Sequence, residues 1–301
     1  MTYVTSPREY LVDLPAHQAG VLEWGPSDGE LLLALHGFPD TAWTWRKVAP
    51  LLADAGYRVV APFLRGYAPS GIPRDRDYSV AALAADAVAL HRELGGTASS
   101  VLVGHDWGAI TAGAIAGDAA SPFARTVLLA VPPLTWVNPR RPTLRPWLAA
   151  TARQPLHSWY ILFNQVPGLA ERRLDWLARR LWSRWSPGYD ATDDLSRLAE
   201  SVPDRYHAKA VVSYYRALAS KGTRAAMAEP VTPLLYLHGD RDGALDPRYF
   251  PVVEARATPP SKAVLLPAVG HFLHLEQPAA VAHEITSFLR PPGGAGAASS
   301  G

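Results

Sequence analysis

The sequence predicts an α/β fold in which a mostly parallel central sheet is flanked by helices and carries an inserted helical segment. Short apolar runs alternate with stretches of helical period in the first 130 residues and again after residue 233. Between about residue 132 and about residue 223 no strand pattern is evident, and the chain is rich in Trp, Arg and Pro. One apolar run ends at a glycine-flanked Asp106 and leads into a run of small residues. Together these observations indicate an α/β domain interrupted by a helical insertion.

The strands are predicted from apolar runs bounded by turn residues. Early strands at 10–14 and 20–24 are joined by a turn near Pro15, and the continuous apolar run 31–35 fits a strand buried on both faces. Further predicted strands span 58–61, 101–103, 126–130, 234–237 and 263–266. The predicted helices span 45–55, 80–94, 109–120, 174–185, 247–257 and 278–289. A pair of glycines at 95 and 96 closes the second of these helices.

The strand-free stretch is predicted to be a helical cap, residues 132–223, on a core formed by residues 1–131 and 224–290. The cap is expected over the carboxyl edge of the sheet, where ligands of open α/β sheets bind. Its clearest helix has an apolar stripe made of Leu174, Leu177, Ala178, Leu181, Trp182 and Trp185. The arginines off that stripe are predicted to form a solvated face rather than a nucleic-acid contact. Residues 291–301 contain only Pro, Gly, Ala and Ser and are predicted to be a disordered tail.

Composition excludes several classes of protein. The formal net charge of +2 gives no reason to expect a nucleic acid or a membrane as a partner. The chain has no cysteine, which excludes disulfides, thiolate metal sites and cysteine nucleophiles. No two histidines are four residues apart, and no metal or organic cofactor is expected. No signal core and no run of ~18 apolar residues is evident, so a cytoplasmic protein is expected. The oligomeric state stays open, with a homodimer among the alternatives.

Asp106 stands at the centre of the most informative segment, Gly104-His-Asp-Trp-Gly108, between a predicted strand and a predicted helix. This is the context of a nucleophile elbow, with Asp where esterases carry Ser. A carboxylate suits attack on a saturated carbon and leaves an ester on the enzyme that water must cleave. The alternative is that Asp106 is a helix N-cap, a position at which Asp is favoured.

A nucleophile of this kind needs an acid and a histidine from later loops. Gly239-Asp-Arg-Asp242 and Gly270-His271 follow two late strands, and this chain order of nucleophile, acid and histidine is that of the α/β-hydrolase triad. His271 is the predicted base. For the acid, Asp240 and Asp246 compete with Asp242, since Asp240 suits a turn and Asp246 suits a helix cap. Of the other histidines, His36 and His105 are predicted to be structural, and His274 and His283 to lie on the surface or the terminal helix.

Five short motifs in this order resemble those of the α/β-hydrolase superfamily and, within it, of the soluble epoxide hydrolases. They are His36-Gly-Phe-Pro39, Leu64-Arg-Gly-Tyr67, Gly104-His-Asp-Trp-Gly108, Gly239-Asp-Arg-Asp242 and Gly270-His271. The resemblance implies that Asp242 is the acid that orients His271. It also implies that the N–H groups of Phe38 and Trp107 stabilise the oxyanion formed when water attacks the ester. Phe63 departs from the pattern, since many relatives have Asp at that position.

Two segments of the predicted cap resemble those that carry paired ring-opening tyrosines in soluble epoxide hydrolases. Tyr160 lies seven residues before Pro167, and Tyr215 directly precedes Arg216. The resemblance implies that both hydroxyls bind the epoxide oxygen, with Tyr214 as the alternative to Tyr215. The residues predicted to line the substrate pocket are Phe38, Trp107, Trp159 and Phe272, with plain core packing as an equal alternative for Trp107.

The resemblance implies an epoxide hydrolase that converts a small hydrophobic epoxide and water into a vicinal diol through a covalent ester on Asp106. Six tryptophans between residues 136 and 185 favour a hydrophobic substrate. A haloalkane or haloacid dehalogenase is the alternative enzyme because it uses the same triad, although loop 36–39 lacks a side-chain halide donor. A receptor of the same fold that binds a hydrophobic ligand without catalysis is a third alternative. An acyl hydrolase is disfavoured because no Gly-x-Ser-x-Gly motif occurs.

Overall fold

A central sheet organises the computed structural model, which describes residues 6–225 and 228–290. Its strands are β1 (Arg8–Asp13), β2 (Gln18–Trp24), β3 (Glu30–Leu35), β4 (Tyr57–Pro62), β5 (Val101–His105), β6 (Arg125–Leu129), β7 (Leu234–Gly239) and β8 (Lys262–Leu266). They lie in the order β1-β2-β4-β3-β5-β6-β7-β8. The pairs β1–β2 and β2–β4 are antiparallel, and all other neighbours are parallel. The predicted mostly parallel sheet is therefore confirmed.

The register of the inner strands brings their carboxyl ends to one edge of the sheet. Leu35, the last residue of β3, pairs with Gly104 near the end of β5. Gly239, the last residue of β7, pairs with Leu266 at the end of β8. β3, β5 and β7 are buried almost throughout, as continuous apolar strands between helical layers should be. The loops after β3, β5, β7 and β8, which carry the predicted catalytic motifs, therefore leave the sheet on the same side.

Helices connect and cover the strands. The α-helices are α1 (Ala49–Asp54), α2 (Val80–Glu93), α3 (Trp107–Ala116), α4 (Leu144–Phe163), α5 (Leu169–Arg172), α6 (Leu174–Trp185), α7 (Thr192–Ser201), α8 (Arg205–Arg216), α9 (Lys221–Ala225), α10 (Phe250–Glu254), α11 (Leu273–Glu276) and α12 (Pro278–Leu289). Short 3-10 helices span Ala42–Lys47, Leu134–Val137, Arg141–Thr143, Ala217–Ala219 and Pro247–Tyr249.

Two predicted helices differ from the observed ones at their ends. The predicted helix 45–55 is a 3-10 helix followed by α1, because a proline in the first turn starts a new helix. The predicted helix 109–120 begins two residues earlier, directly after Asp106, and ends at Ala116, where Gly117 is the C-cap. The early start matters, since it makes Asp106 the turn residue between β5 and α3.

Between β6 and β7 the described residues form helices and turns but no strand. We call residues 132–223 the cap; their status as a separate domain stays a prediction. The predicted apolar stripe of α6 is confirmed, since all six of its residues are buried. At the end of this helix the Trp182 ring stacks on Phe272 with centroids 3.4 Å apart, and its Nε1 donates to the Pro39 carbonyl at 2.9 Å. The cap is thus packed on the loops at the carboxyl edge of the sheet.

Two further sequence predictions concern the ends of the chain and its relation to membranes. Within residues 6–225 and 228–290, no helix is both long and apolar enough to cross a bilayer. The predicted disordered tail, residues 291–301, lies outside the described residues.

Candidate active site

Asp106 occupies a sharp turn between β5 and α3. Its backbone has φ 51° and ψ −113°, a conformation that is rare for a residue with a side chain. Gly104 and Gly108 permit the turn. A Cβ on Gly104 would lie 2.2 Å from the Gly108 carbonyl oxygen, and a Cβ on Gly108 would lie 2.2 Å from the Leu35 carbonyl oxygen. Strain of this kind persists only where the surrounding structure imposes it, and it concentrates at functional sites.

The Asp106 carboxylate is buried between a backbone donor and an imidazole. The Phe38 N–H donates a 2.8 Å hydrogen bond to Oδ1, and His271 Nε2 lies 3.6 Å from Oδ2. Gly37 makes this approach possible, since a Cβ there would lie 2.4 Å from the Asp106 Cβ. Although Asp106 is the N-cap residue of α3, its side chain makes no capping hydrogen bond. The capping alternative is therefore wrong, and the carboxylate faces the carboxyl edge instead.

Trp107 is the first residue of α3, so its backbone N–H has no partner within the helix. The elbow therefore has one backbone donor bonded to Asp106, from Phe38, and a second, from Trp107, that is free of the helix ladder. The N-terminus of α3 adds a partial positive charge at the same point. Both features favour negative charge on the oxygens of the Asp106 side chain.

His271 is fully buried and is held by the second carboxylate. Its Nδ1 donates a 2.9 Å hydrogen bond to Asp242 Oδ2, while Asp242 Oδ1 accepts the N–H groups of Ala244 and Leu245 at 2.6 and 3.1 Å. Burial alone would raise the pKa of Asp242, but the His271 charge and these hydrogen bonds hold it below its ordinary value. Burial likewise opposes protonation of His271, but Asp242 and then Asp106 raise the pKa of His271 above its ordinary value. The imidazole therefore lies between two carboxylates and favours its charged form.

The other candidate acids have different partners. Asp240 is exposed and accepts the Ala268 N–H at 2.7 Å, as expected for a turn. Asp246 caps the 3-10 helix Pro247–Tyr249 by accepting the Arg248 N–H at 3.0 Å. In the part of the chain that the structure describes, only Asp242 of these three lies against His271.

Tyr160 on α4 and Tyr215 on α8 are brought together by the fold. Both are buried, and their rings meet edge to face with centroids 5.5 Å apart. Tyr215 also packs against Phe38 and Trp107, with centroid distances of 5.0 and 5.3 Å. Among the described residues its buried hydroxyl has no hydrogen-bond partner, whereas the Tyr214 hydroxyl donates to the Arg65 carbonyl at 2.7 Å. The contacts therefore favour Tyr215 over Tyr214 at the site.

The four predicted pocket residues have different surroundings. Phe38 and Trp107 pack against Tyr215, as described above. Phe272 is stacked on Trp182 and meets the His271 ring edge-on with centroids 5.2 Å apart. Trp159 instead packs against Phe163 and Trp176, at 6.0 and 6.1 Å. The aromatic contacts of Trp159 are therefore with its own helix and with α6, and its predicted role in the pocket stays a prediction.

A buried polar cluster behind His271 has no counterpart in the sequence predictions. Asp40, His105 and His274 bring ligand atoms within 4.8 Å of one another, the one such grouping among the described residues that suits a metal ion. His105 Nε2 hydrogen-bonds the His271 carbonyl at 3.0 Å. Burial, followed by the Asp194 charge, raises the pKa of Asp40 to about 8, and burial lowers the pKa of both histidines. The cluster therefore favours neutral forms and adds little charge beside the triad.

The remaining histidines test the predictions made for them. His36 Nε2 accepts the Leu64 N–H at 3.0 Å, and with His105 it has the structural contacts predicted. His283 is exposed on the terminal helix, also as predicted. The surface prediction for His274 is wrong: its ring is fully buried and shares a 2.5 Å hydrogen bond with Thr44 Oγ1. Its burial depends on a contact 230 residues away in the chain, which no local pattern reveals.

Comparison with known proteins places this geometry in a family. The alpha/beta hydrolase fold family matches residues 30–278. The chain belongs to the α/β-hydrolase fold family. This α/β-hydrolase is 35% identical to Epoxide hydrolase A of Mycobacterium tuberculosis. The match covers 67% of this chain and 62% of the relative's length. An epoxide hydrolase of Caballeronia sordidicola is 30% identical, with 87% of this chain and 88% of the relative covered.

Solved structures give the same result for the fold. The crystal structure of an epoxide hydrolase from Vigna radiata has a TM-score of 0.77 and 26% sequence identity, covering 94% of this chain and 98% of that one. That of Epoxide Hydrolase A from Mycobacterium thermoresistibile has a TM-score of 0.75 and 26% identity, covering 95% and 98%. The predicted resemblance of this α/β-hydrolase to epoxide hydrolases is confirmed.

We predict that Asp106→Asn lowers the pKa of His271. The amide carries no charge, so the imidazolium loses one of the two carboxylates that stabilise it. Titration of the His271 ring nitrogens by ¹⁵N NMR measures the change directly. Asp240→Asn, which removes an exposed carboxylate that does not face His271, is the matched control and should leave the titration in place. An equal His271 pKa in wild type and Asp106→Asn would contradict the coupling.

Proposed function

We propose that this α/β-hydrolase opens a small hydrophobic epoxide to a vicinal diol through a covalent ester on Asp106. The observation that carries the proposal is the Tyr215 hydroxyl, which is buried and, within the described chain, has no hydrogen-bond partner. It belongs to a ring that packs on Phe38 and Trp107, the two residues that flank the Asp106 carboxylate. A buried hydroxyl without a partner costs free energy unless a ligand satisfies it. The relatives' names, which are those of epoxide hydrolases, support the same reaction.

In the first step Tyr160 and Tyr215 donate hydrogen bonds to the epoxide oxygen and polarise the ring. Burial, followed by the charge of Asp106, raises the pKa of Tyr160, and burial raises the pKa of Tyr215. Both tyrosines therefore stay protonated until an alkoxide forms at the epoxide oxygen. Asp106 Oδ2 attacks one ring carbon because Oδ1 is held by the Phe38 N–H. The carbon–oxygen bond of the ring breaks, and one tyrosine proton passes to the alkoxide. The product is a hydroxyalkyl ester.

Formation of the ester prepares the second step. The ester has no charge, so His271 loses the stabilising effect of Asp106 and its pKa falls toward that of a general base. Asp242 keeps the ring oriented with Nε2 directed toward Asp106. His271 removes a proton from water, and the resulting hydroxide attacks the carboxyl carbon of the ester.

The tetrahedral intermediate carries its negative charge on Oδ1. That oxygen accepts the Phe38 N–H, and the Trp107 N–H at the start of α3 is a second donor. Collapse breaks the bond between the carboxyl carbon and Oδ2, and His271 returns a proton to the departing alkoxide. The diol leaves with Oδ2 as one of its oxygens. The carboxyl group keeps the oxygen of the attacking hydroxide, and the proton on that oxygen returns to the tyrosinate left by the first step, so that Asp106 is again a carboxylate and the tyrosine is again neutral.

The contacts of the site favour an epoxide over a halogenated substrate. A halide leaving group needs N–H donors and no proton, whereas an epoxide oxygen needs a proton donor. The tyrosine pair supplies such a donor, and Phe38 offers only a ring in the loop after β3. The walls are aromatic, with Trp185 packed on Tyr160 at 5.0 Å, which suits an apolar substrate.

We predict that Asp106→Asn abolishes diol formation from styrene oxide and that His271→Gln traps the ester. The Asn variant should lose at least about 10³-fold in kcat/KM because it lacks the nucleophile. The Gln variant still opens the ring but has no base, so intact-protein mass spectrometry should show one added substrate mass. Asp240→Asn is the control and should turn over normally. Activity retained by Asp106→Asn, or no adduct on His271→Gln, would refute the covalent route.

We predict that Tyr215→Phe slows ring opening by at least about tenfold, while Tyr214→Phe does not. Pre-steady-state decay of epoxide measures the step. The adjacent Tyr214 is a matched control, because its hydroxyl is bonded to the Arg65 carbonyl and its loss should cost about 1 kcal/mol of stability instead. Tyr160→Phe combined with Tyr215→Phe should remove ring opening altogether. A Tyr214→Phe defect in ring opening with normal rates for Tyr215→Phe would reverse the assignment.

A further inference from the structure

The outer face of α4 is apolar and open to solvent. Leu148, Leu156 and Leu162 are 53%, 69% and 74% exposed, and the last two are the most exposed large hydrophobic side chains in the described residues. At 100° per residue they share one side of α4 with Trp159 and Phe163, whereas Ala150 and Tyr160 are buried. Contiguous exposed apolar patches on a soluble domain mark binding surfaces. Single exposed leucines are common on protein surfaces, but here they form a stripe along one side of a helix of 20 residues.

The patch continues onto α6 through aromatic rings in edge-to-face and tilted contact. Trp176, 46% exposed, packs against Trp159 and Phe163 with centroids 6.1 and 5.7 Å apart. Arg173 and Arg180 lie three residues before and four residues after Trp176, so they flank it on the same side of the helix. Both are exposed, and within the described chain neither forms a salt bridge. We call this surface of α4 and α6 the outer cap face.

Arginines outnumber acidic residues in the segments that form this face. Between Asp118 and Glu171 the sequence contains no acidic residue. Arg141 and Arg145 stand at the start of α4 and are exposed, and Arg153 further along the helix lies 3.8 Å from Asp246. The acids that follow are paired, Glu171 with Arg216 and Asp175 with Arg179. The net charge of +2 for the whole chain gave no reason to expect a membrane partner. The charge is unevenly distributed, however, and this surface is both basic and apolar.

We propose that the outer cap face binds the surface of an anionic phospholipid bilayer. Exposed Leu and Trp side chains enter the boundary between headgroups and acyl chains, and the flanking arginines reach the phosphates. A nucleic acid fits less well, because aliphatic leucines at the centre of the face offer nothing to a phosphate backbone. A second copy of this chain fits less well too, since a two-fold contact would bring the same arginines together.

Binding of this face to a bilayer would place the cap beside the membrane interior, in which apolar molecules accumulate. α4 carries the outer leucines and, on its inner side, Tyr160, which meets Tyr215 beside the elbow. A hydrophobic epoxide that partitions into the bilayer would then be concentrated beside the cap. Membrane binding requires no turnover. The membrane proposal can therefore be tested independently of the reaction proposed above.

Flotation with large unilamellar vesicles tests the proposal. The full-length protein should float with phosphatidylcholine vesicles that contain about 30% phosphatidylglycerol, should bind pure phosphatidylcholine more weakly, and should be released at about 0.5 M salt. Leu156→Ser with Leu162→Ser should weaken binding by at least about tenfold, and Arg173→Glu with Arg180→Glu should remove the preference for the anionic lipid. The double variant Leu11→Ser with Val231→Ser is the control, since both side chains are exposed outside the cap, and should bind like wild type.

Styrene oxide turnover and thermal melting check that each variant is folded, because none of these residues belongs to the catalytic machinery. Wild-type protein that stays in the supernatant with anionic vesicles would overturn the proposal. So would equal binding by the Leu156→Ser, Leu162→Ser variant. A dimer in sedimentation velocity that the same variant dissociates, with no flotation, would assign the face to a second copy instead.

Discussion

The close packing of the Asp106 elbow against the loop after β3 is the constraint on which the rest of the site depends. Three glycines make it possible, since a Cβ on Gly37, Gly104 or Gly108 would lie 2.2 to 2.4 Å from neighbouring atoms. The turn at Asp106 places one carboxylate oxygen on the Phe38 N–H and turns the other toward His271. A looser elbow would separate the nucleophile from both the donor and the base. The strained backbone of Asp106 is therefore part of how the site is assembled.

The cap completes what the elbow begins. The backbone N–H of His271 donates a 2.9 Å hydrogen bond to the Trp185 carbonyl at the end of α6. Gly243 and Gly270 have no side chain, which leaves room for the end of this helix. α4 and α8 bring their tyrosines over Phe38 and Trp107. The core thus holds the nucleophile and the base, and the cap supplies the two hydroxyls and a buried, aromatic environment. In such an environment charged and polar groups act more strongly on one another than in water.

Local patterns predicted the sheet, the α6 stripe and the order of the triad because each depends on residues close together in the chain. They did not separate Tyr214 from Tyr215, since neighbours on a helix point about 100° apart and only packing decides which one faces the site. They misplaced His274, whose burial depends on Thr44 and the ring of His105. The pocket role predicted for Trp159 stays a prediction, and the ring contacts of Trp159 are with Phe163 and Trp176. The burial of His274 and the choice between the two tyrosines both depend on contacts between distant parts of the chain, which local patterns do not reveal.

A single turnover in oxygen-18 water, with enzyme in excess over epoxide, tests the covalent ester on Asp106 most directly. If Asp106 attacks the ring carbon, the first diol contains two unlabelled oxygens, one from the epoxide and one from the carboxylate. The label should then appear in the proteolytic peptide that contains Asp106. Labelled oxygen in the diol of the first turnover, with an unlabelled Asp106 peptide, would mean that water attacks the epoxide directly and would contradict the account.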